Sequence, residues 1–498
     1  LEHRFVGVLQ QSGRYNFVLT DNRSLDKDIY IPNERIGKAK TGDKVVVQIE
    51  RWPQFSKNPI GKILDILGKN GENDAEMHAI LAEFGLPYKY PEHIVKAAQK
   101  IEAGITAEEI ARREDYRDVT TFTIDPADAK DFDDALSIRK LKNGNGEAGV
   151  HIGDFSHYVQ PNTSIDEEAY KRATSIYLVD RTIPMLPEKL CNELCSLRQD
   201  EDKLCYSTIF EMDEEANVVN KRIVKTVIRS NRRFNYEEAQ QIIETGEGDF
   251  KKEILALDRL AKKLRARRFE NGAIAFERAE VKFILDDKGK PVDVYFKIAK
   301  DSNQLVEEFM LLANRTVAET IGTALNKTSK KAKTFVYRVH DQPTTDKLMS
   351  LAGMASRFGH KMPAVGNNKV ISQGINKLMK DIHDRPEENL LSTLAIRSMA
   401  KAVYTTQNIG HYGLAFDYYT HFTSPIRRYP DTMVHRLLDR YLNNGGRSVP
   451  GIQFEEYCKH CSLMEKKAAD AERSSVKYKQ AEYLSDKLGQ TFPANISG

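Results

Sequence analysis

The chain has 498 residues, 40% hydrophobic and 30% charged, with 75 Lys plus Arg against 72 Asp plus Glu, a formal net charge of +3. This composition excludes a disordered chain and a histone-like polycation, and the length allows roughly two to four domains. Five cysteines, an odd number in a long chain, argue against a disulfide framework and for a reducing, cytoplasmic setting. No run approaches the ~18 apolar residues of a membrane helix, so no membrane partner is expected. No signal peptide is visible and the chain starts at Leu1, not Met, so the start is expected to be processed or cut, which leaves room for a further N-terminal module.

Residues 1–68 read as short strands. Phe5–Leu9, Asn16–Leu19, Asp28–Ile31 and Lys44–Ile49 are β-branched or aromatic runs, punctuated by turns at Ser12-Gly13, Asp21-Asn22 and Thr41–Asp43. Their density predicts a small Greek-key barrel of the OB type, a fold that stacks single-stranded bases on exposed aromatics. Phe17, Tyr30 and Trp52 are candidates either for that stacking or for the barrel core. Residues 69–118 read as a helical connector, with Ile80, Leu81, Phe84, Ile94, Ala97, Ala98 and Ile101 at helical spacing. Residues 119–445 form the bulk. Strand patterns come first, at Val150–Phe155 and Cys205–Phe210. Helices follow through Ile254, Leu257, Leu260, Ala261 and Leu264, stopped by Asn271-Gly272, and through Leu305, Phe309, Leu312, Ala313, Val317, Ile321 and Leu325. A last helix runs from Phe454 to Leu488, inside a segment bounded at 446–488. Thr491–Gly498 opens what reads as a strand and stops, so residues 489–498 are expected to begin a truncated module. The fold class is α+β with small flanking modules.

The most informative stretch is Thr123-Ile-Asp-Pro-Ala-Asp-Ala-Lys-Asp-Phe-Asp-Asp134. An extended backbone puts Asp131 and Asp133 on one face. Asp134 needs a turn or bulge to join them, and Asp125-Pro126 starts a loop that can fold back. Carboxylates forced together resist ionising unless a cation neutralises them. The flanks, Phe122, Ile124, Ala135, Leu136 and Ile138, are apolar, and the spacing is unlike a calcium-binding helix-loop-helix motif. The pattern predicts a site for Mg²⁺, one or two ions, or for Mn²⁺, held by Asp125, Asp131, Asp133 and Asp134. The chemistry such a site suits is phosphodiester hydrolysis.

A second constellation is His421-Phe-Thr-Ser-Pro-Ile-Arg-Arg-Tyr-Pro-Asp431, preceded by the Gly-rich Ile409–Ala415. Arg427 and Arg428 have the fork geometry that grips phosphate oxygens, and the apolar flanks carry them toward a buried site. Arginines in pairs also form plain surface salt bridges. Lys221, Arg222, Lys225, Arg229, Arg232 and Arg233, with no acid between Asn220 and Phe234, and Lys327, Lys330, Lys331 and Lys333, read as solvated faces or as lining of a backbone-tracking groove. Cys458 and Cys461 lie in a helical pattern without a second pair and read as structural.

These two stretches resemble the ribonuclease II/ribonuclease R family of exoribonucleases. The match runs through Ile124-Asp-Pro-Ala-Asp-Ala-Lys-Asp-Phe-Asp-Asp-Ala135, through His411–Leu414, and from Tyr419 to Asp431 and His435. Leu305–Asn314, Ser175–Tyr177 with Pro184–Pro187, and Leu190–Leu197 also look like family segments, and the resemblance is closer to the ribonuclease R branch. It implies a large mixed catalytic domain of the RNB type behind an N-terminal OB/cold-shock barrel, with a C-terminal OB barrel that is truncated here. It implies metal binding by the four aspartates, with Asp133, Asp131 and Arg427 catalytic. It implies RNA contacts by Tyr177, which would set the end product, by Tyr236 and Phe276 clamping the bases, by Glu307 or Glu308, by Arg428 and Tyr429, and by Glu472.

The implied activity is processive 3′→5′ hydrolysis of single-stranded RNA to nucleoside 5′-monophosphates by a monomer. Two alternatives stay open: an RNA-binding scaffold without catalysis, and a Mg²⁺ phosphohydrolase acting on another nucleic acid.

Overall fold

The computed structural model describes residues 4–13, 15–20, 25–54, 56–275, 280–323, 332–443 and 445–492. The expected turn at Asp21-Asn22, Phe276, Leu325, Lys327, Lys330, Lys331 and the tail from 493 lie outside the described residues.

Five strands, β1 (Arg4–Ser12), β2 (Tyr15–Thr20), β3 (Ile29–Tyr30), β4 (Asp43–Arg51) and β5 (Ile60–Lys69), close into a barrel in the order β1-β2-β3-β5-β4. The two-residue period of β4 does two jobs. Val45 and Val47 point inward onto Leu9, Val18, Ile29 and Ile31, whereas Val46 points outward with Val6, Leu67 and Ala79. Ala79 belongs to α1 (Asn73–Glu83), so the outward face of the barrel is covered by the first helix of the connector. The buried pair Lys44–Glu76, 3.1 Å, ties the same two elements. Helices α2 (Glu92–Gln99) and α3 (Ala107–Ala111) complete the connector.

The body is built on β6 (Glu114–Asp115), β7 (Thr121–Asp125), β8 (Asp134–Lys140) and β9 (Gly146–Gly153). Then come α4 (Phe155–Tyr158), α5 (Ser164–Arg172), the hairpin of β10 (Ile176–Tyr177) and β11 (Thr182–Ile183), and a wide π-type turn at Lys189–Leu194. The strand expected at Val150–Phe155 ends at Gly153, because Phe155 opens the helical turn of α4 into the core. Strands β12 (Asp202–Met212), β13 (Val218–Arg229) and β14 (Arg232–Asn235) finish a seven-stranded sheet ordered β14-β7-β8-β9-β12-β13-β6. Its outer pairs, β14–β7 and β13–β6, are parallel and the inner ones antiparallel.

Helices α6 (Tyr236–Thr245) and α7 (Lys251–Glu270) follow, and α7 stops at Asn271 with Gly272 at φ +101, as the Asn-Gly signal predicts. A separate hairpin, β15 (Glu280–Leu285) and β16 (Pro291–Lys297), leads to α8 (Asp301–Gly322). Leu305, Phe309, Ala313, Val317 and Ile321 of α8 are buried in the main core. Strands β17 (Tyr337–Val339) and β18 (Val403–Thr405) pair across α9 (Thr345–Arg357), α10 (Asn368–Ile382) and α11 (Glu388–Ser398), three helices with a small core of their own. Helix α12 (Tyr429–Leu438) and the long α13 (Gly451–Ser485) close the body. Cys458 and Cys461 are buried thiols on α13, and the five cysteines are all free and buried. No helix among the described residues is long and apolar enough to cross a membrane.

Candidate active site

Two adjacent strand ends make the carboxylate cluster. Asp125 is the last residue of β7 and Asp134 the first of its antiparallel neighbour β8. The loop between them holds Asp131 and Asp133. The aspartates therefore meet through the return of a loop between neighbouring strands, and only partly through the expected i, i+2 spacing. The loop is fixed from three sides. Ser196 Oγ accepts from Phe132 N at 3.0 Å, and Leu197 N donates to Phe132 O at 2.9 Å. Gly153 N donates to Asp133 O at 3.0 Å. Arg233 Nη2 donates to Pro126 O and Ala127 O at 2.7 and 2.9 Å. Gly153 permits the close approach, since a Cβ there would stand 2.5 Å from Cys195 O.

The second constellation meets this loop at Asp133. Asp133 Oδ1 accepts from Ile426 N at 3.2 Å, and Oδ2 lies 3.4 Å from Arg427 Nε. Asp133 is buried while Arg427 is 39% exposed, so the guanidinium spans from the carboxylate to the open side. The loop that carries Arg427 is held by polar groups buried beneath it. Asn314 Oδ1 accepts from Phe422 N at 2.7 Å, Asp431 Oδ1 accepts from Ser424 N at 2.8 Å, and His435 Nε2 donates to Phe422 O at 2.8 Å. Ser175 N donates to Arg427 O at 2.9 Å and joins this loop to the hairpin bearing Tyr177.

Burial raises all four carboxyls of the cluster. Burial pushes Asp133 up to about 8, with Asp131 and Asp134 adding to the rise and Arg427 opposing it. Burial and then the charge of Asp134 raise Asp125; burial raises Asp134 against Arg427 and Arg428; burial raises Asp131. Asp125 Oδ2 is buried without a hydrogen-bond donor. An all-carboxylate donor set with one orphaned buried oxygen fits a hard divalent cation. No three of the four aspartates bring ligand oxygens within 4.8 Å of one another. Among the described residues, the group of three potential ligands within 4.8 Å of one another is instead His383, Asp384 and Glu388, on an exposed turn. There Glu388 is already engaged, accepting from Asp384 N at 2.9 Å.

The aromatic candidates flank the cluster from two sides. Tyr177, 40% exposed, is pushed up to about 12 by burial and by Asp131 and Asp133, against Arg427. Tyr236 opens α6 directly after Asn235, which is in register with Asp125, and its phenol is raised by burial and by Asp134 and Asp125. Lys297 Nζ lies 5.9 Å from its ring centre.

The two glutamates on α8 separate cleanly. Glu308 is buried and bonded to Arg268 at 2.5 Å, whereas Glu307 is 48% exposed, 3.7 Å from both Arg265 and Arg268. Glu472 is on the exposed face of α13, and the charges that act on it are Lys282, Glu280 and Arg473; the aspartates are not among them.

Three groups of candidates are engaged within the fold. Arg428 Nε and Nη2 both bind the Asp431 carboxylate at 2.9 Å. Tyr429 is buried, its hydroxyl donating to Asp166 Oδ1 at 2.9 Å, because it begins α12 and turns inward. Most of the basic run along β13 and β14 is paired with acids from distant segments. Lys221 pairs with Glu319, Arg222 with Glu114 and Glu147, Lys225 with Asp439, Arg229 with Asp202 and Arg232 with Glu238. On the barrel, Phe17 and Tyr30 are half-buried with rings 5.6 Å apart, and Trp52 is exposed. Tyr15, 6.4 Å from Tyr30, extends that surface row and went unread in the sequence.

The supporting residues Asn314 and Ser196 were not read as part of the site, and Asp431 and Arg233 entered only as the end of the arginine stretch and a member of the basic run. Asn314 had a signal: a polar residue at a core position of the apolar α8 stripe. Ser196 had none.

Comparison with known proteins gives the family. The RNB domain model matches residues 113–444 and the cold shock domain model residues 17–91. The chain is 38% identical to ribonuclease R of Thermotoga maritima over 98% of its own length and 70% of that protein. It is 33% identical to ribonuclease R of Escherichia coli over 100% of its length and 63% of that protein. It therefore spans roughly two thirds of the length of the curated relatives it matches. Mycoplasma genitalium RNase R, solved with ribose-methylated single-stranded RNA, superposes with a TM-score of 0.90 at 25% identity, covering 98% of this chain and 77% of that one. Yeast Ssd1, a pseudonuclease, shares the fold with a TM-score of 0.74 at 21% identity, covering 97% and 59%. Fold and site together define an RNB nuclease domain behind a cold-shock barrel. Within that class, the chain belongs to the ribonuclease R family of exoribonucleases, nucleases that are generally divalent-metal dependent.

Proposed function

We propose that this chain hydrolyses single-stranded RNA processively from the 3′ end, releasing nucleoside 5′-monophosphates. The observation that carries the reading is the meeting of Asp133 with Ile426 N and Arg427 Nε, which brings the carboxylate loop to a half-exposed guanidinium. Asp125, Asp131, Asp133 and Asp134 are the residues that would hold Mg²⁺, one or two ions, or Mn²⁺. Bound there, the cation supplies a water of lowered pKa and a counter-charge to phosphate.

The chain's own groups do the rest. Arg427 is half-exposed and anchored through its backbone to Ser175, so its charge stays fixed where negative charge builds on the scissile phosphate. Tyr177, beside Asp131 and Asp133, stacks on the terminal base and sets how short a product can still be gripped. Tyr236 faces the other side of the cluster. Glu307 is the glutamate able to reach the ribose 2′-OH, since Glu308 is buried against Arg268. Glu472 would touch the strand farther from the aspartates. Arg428 and Tyr429 act by shaping the loop and the start of α12. Phe17, Tyr30, Tyr15 and Trp52 give the barrel a stacking surface for the same strand.

The five buried free thiols support a reducing, cytoplasmic setting, and a strand threaded through one chain suits a monomer. The pseudonuclease with this fold keeps the scaffold alternative in view; against it, this sequence carries all four aspartates and Arg427. Digesting RNA and DNA oligomers of one sequence, with and without divalent cation, separates the three readings. RNA-only, cation-dependent shortening from the 3′ end is expected. Binding without cleavage, or equal cleavage of DNA, would overturn the proposal.

A further inference from the structure

The hairpin that carries Tyr177 cannot hold itself. Its strands β10 and β11 pair over two residues each, Ile176 with Ile183 and Tyr177 with Thr182. A two-stranded hairpin is marginal in water even when longer. Its tip, Leu178 to Arg181, is instead bound from outside. Asp180 Oδ2 accepts from Asn73 Nδ2 at 2.6 Å and from Arg181 Nη2 at 2.6 Å, and Arg181 Nη2 also reaches Asp74 Oδ1 at 2.5 Å. Asn73 and Asp74 are the first residues of α1, the helix that covers the barrel.

Asn73 is oriented in turn by Lys479, a fully buried lysine of α13. Lys479 Nζ donates to Asn73 Oδ1 at 2.7 Å, to Gly289 O at 2.6 Å and to Glu482 Oε2 at 2.8 Å. All three ammonium protons are thereby directed, as burial of the charge requires. Binding of Asn73 Oδ1 to the lysine turns the amide NH₂ of the same side chain toward Asp180. Gly289, at φ +76, lets the β15–β16 turn come this close, for a Cβ there would stand 2.6 Å from Asn73 Nδ2. Four elements converge around this amide, and among them the β10–β11 hairpin carries Tyr177.

We propose that Lys479, acting through Asn73 and Asp180, is a positioning residue for Tyr177, so that this tether together with the Tyr177 ring sets the length of the end product. The inference rests on the exoribonuclease reading. It makes the seating of the barrel helix α1 a determinant of product size, although the barrel is remote from the aspartates in the sequence.

The test is the product ladder from a 5′-labelled oligoribonucleotide. Asn73→Ala and Lys479→Met should each lengthen the smallest product by at least about one nucleotide, while the initial rate on long RNA stays within about threefold of wild type. Adding Asn73→Ala to Tyr177→Ala should leave the Tyr177→Ala ladder unchanged, because both act through one ring. Should Lys479→Met fail to fold, Asn73→Ala, at a half-exposed position, still decides. A variant with a lowered unfolding midpoint and a wild-type ladder overturns the tether and leaves the enzymatic reading standing. A wild-type chain that shortens no RNA overturns both.

Discussion

Asp133→Asn offers a way to weigh the metal-free cost of the carboxylate cluster. The folded protein raises the Asp133 carboxyl from the ordinary 3.8 to about 8, burial being the largest cause. A carboxyl raised on folding contributes its full stability below about pH 4 and loses it progressively as pH climbs toward 8, where the folded state must bear the charge. At about 1.4 kcal/mol per pH unit the loss has a ceiling on the order of 5 kcal/mol at pH 8 and roughly a third of that at pH 5. Asn keeps an oxygen to accept from Ile426 N and carries no charge, so the variant escapes the loss. With roughly 1–2 °C per kcal/mol for a domain of this size, its unfolding midpoint in EDTA should lie roughly 3–10 °C above wild type at pH 8, with a smaller gap at pH 5. Saturating Mg²⁺ should close the gap by stabilising wild type more than the variant. Differential scanning fluorimetry at the two pH values, with EDTA and with Mg²⁺, measures all of this. A variant less stable than wild type at pH 8 in EDTA, or a gap that ignores pH, would refute the reasoning.

Other outcomes follow from the same geometry. Tyr177→Ala should lengthen the smallest product in a sizing gel, with little change in the rate on long RNA; a wild-type ladder would remove Tyr177 from the end of the path. Arg427→Lys keeps a charge but loses the planar fork, and kcat in single-turnover assays should fall by ~10²–10³ while RNA affinity changes far less. Glu308→Gln breaks the buried pair with Arg268 and should cost ~3–5 kcal/mol in denaturant unfolding. Glu307→Gln should leave stability nearly unchanged and reduce the preference for RNA over a matched DNA; the reverse pattern would exchange the two roles.

Much of this molecule was legible in its sequence, for physical reasons that differ by element. The barrel announced itself by alternation and turn chemistry, since β4 can bury Val45 and Val47 only by turning Val46 outward. Helices α7 and α8 were legible because long apolar stripes leave little ambiguity, and Asn271-Gly272 marks the stop. The aspartates were legible because charges between apolar strands need a reason to be there. What sequence could not supply was pairing over distance. Arg428 and Arg427 are adjacent and chemically identical, yet Asp431 captures one and leaves the other to reach Asp133. The basic run on β13 looked unpaired because its acids, Glu114, Glu147, Asp202, Glu319 and Asp439, come from distant segments. Nothing in the sequence sets Lys479 apart from the other charges of its helix, and only the convergence of α1, the β15–β16 turn and α13 buries it.

The central claim is that the Asp125–Asp134 carboxylates and Arg427 form one hydrolytic centre for RNA. It is tested most directly by incubating a 5′-labelled single-stranded oligoribonucleotide with wild type and with Asp133→Asn, in Mg²⁺ and in EDTA, and sizing the products. The account predicts stepwise shortening to a short limit product for wild type in Mg²⁺ alone, and no shortening by Asp133→Asn despite retained RNA binding. Cleavage in EDTA, or an Asp133→Asn rate comparable to wild type, would contradict it.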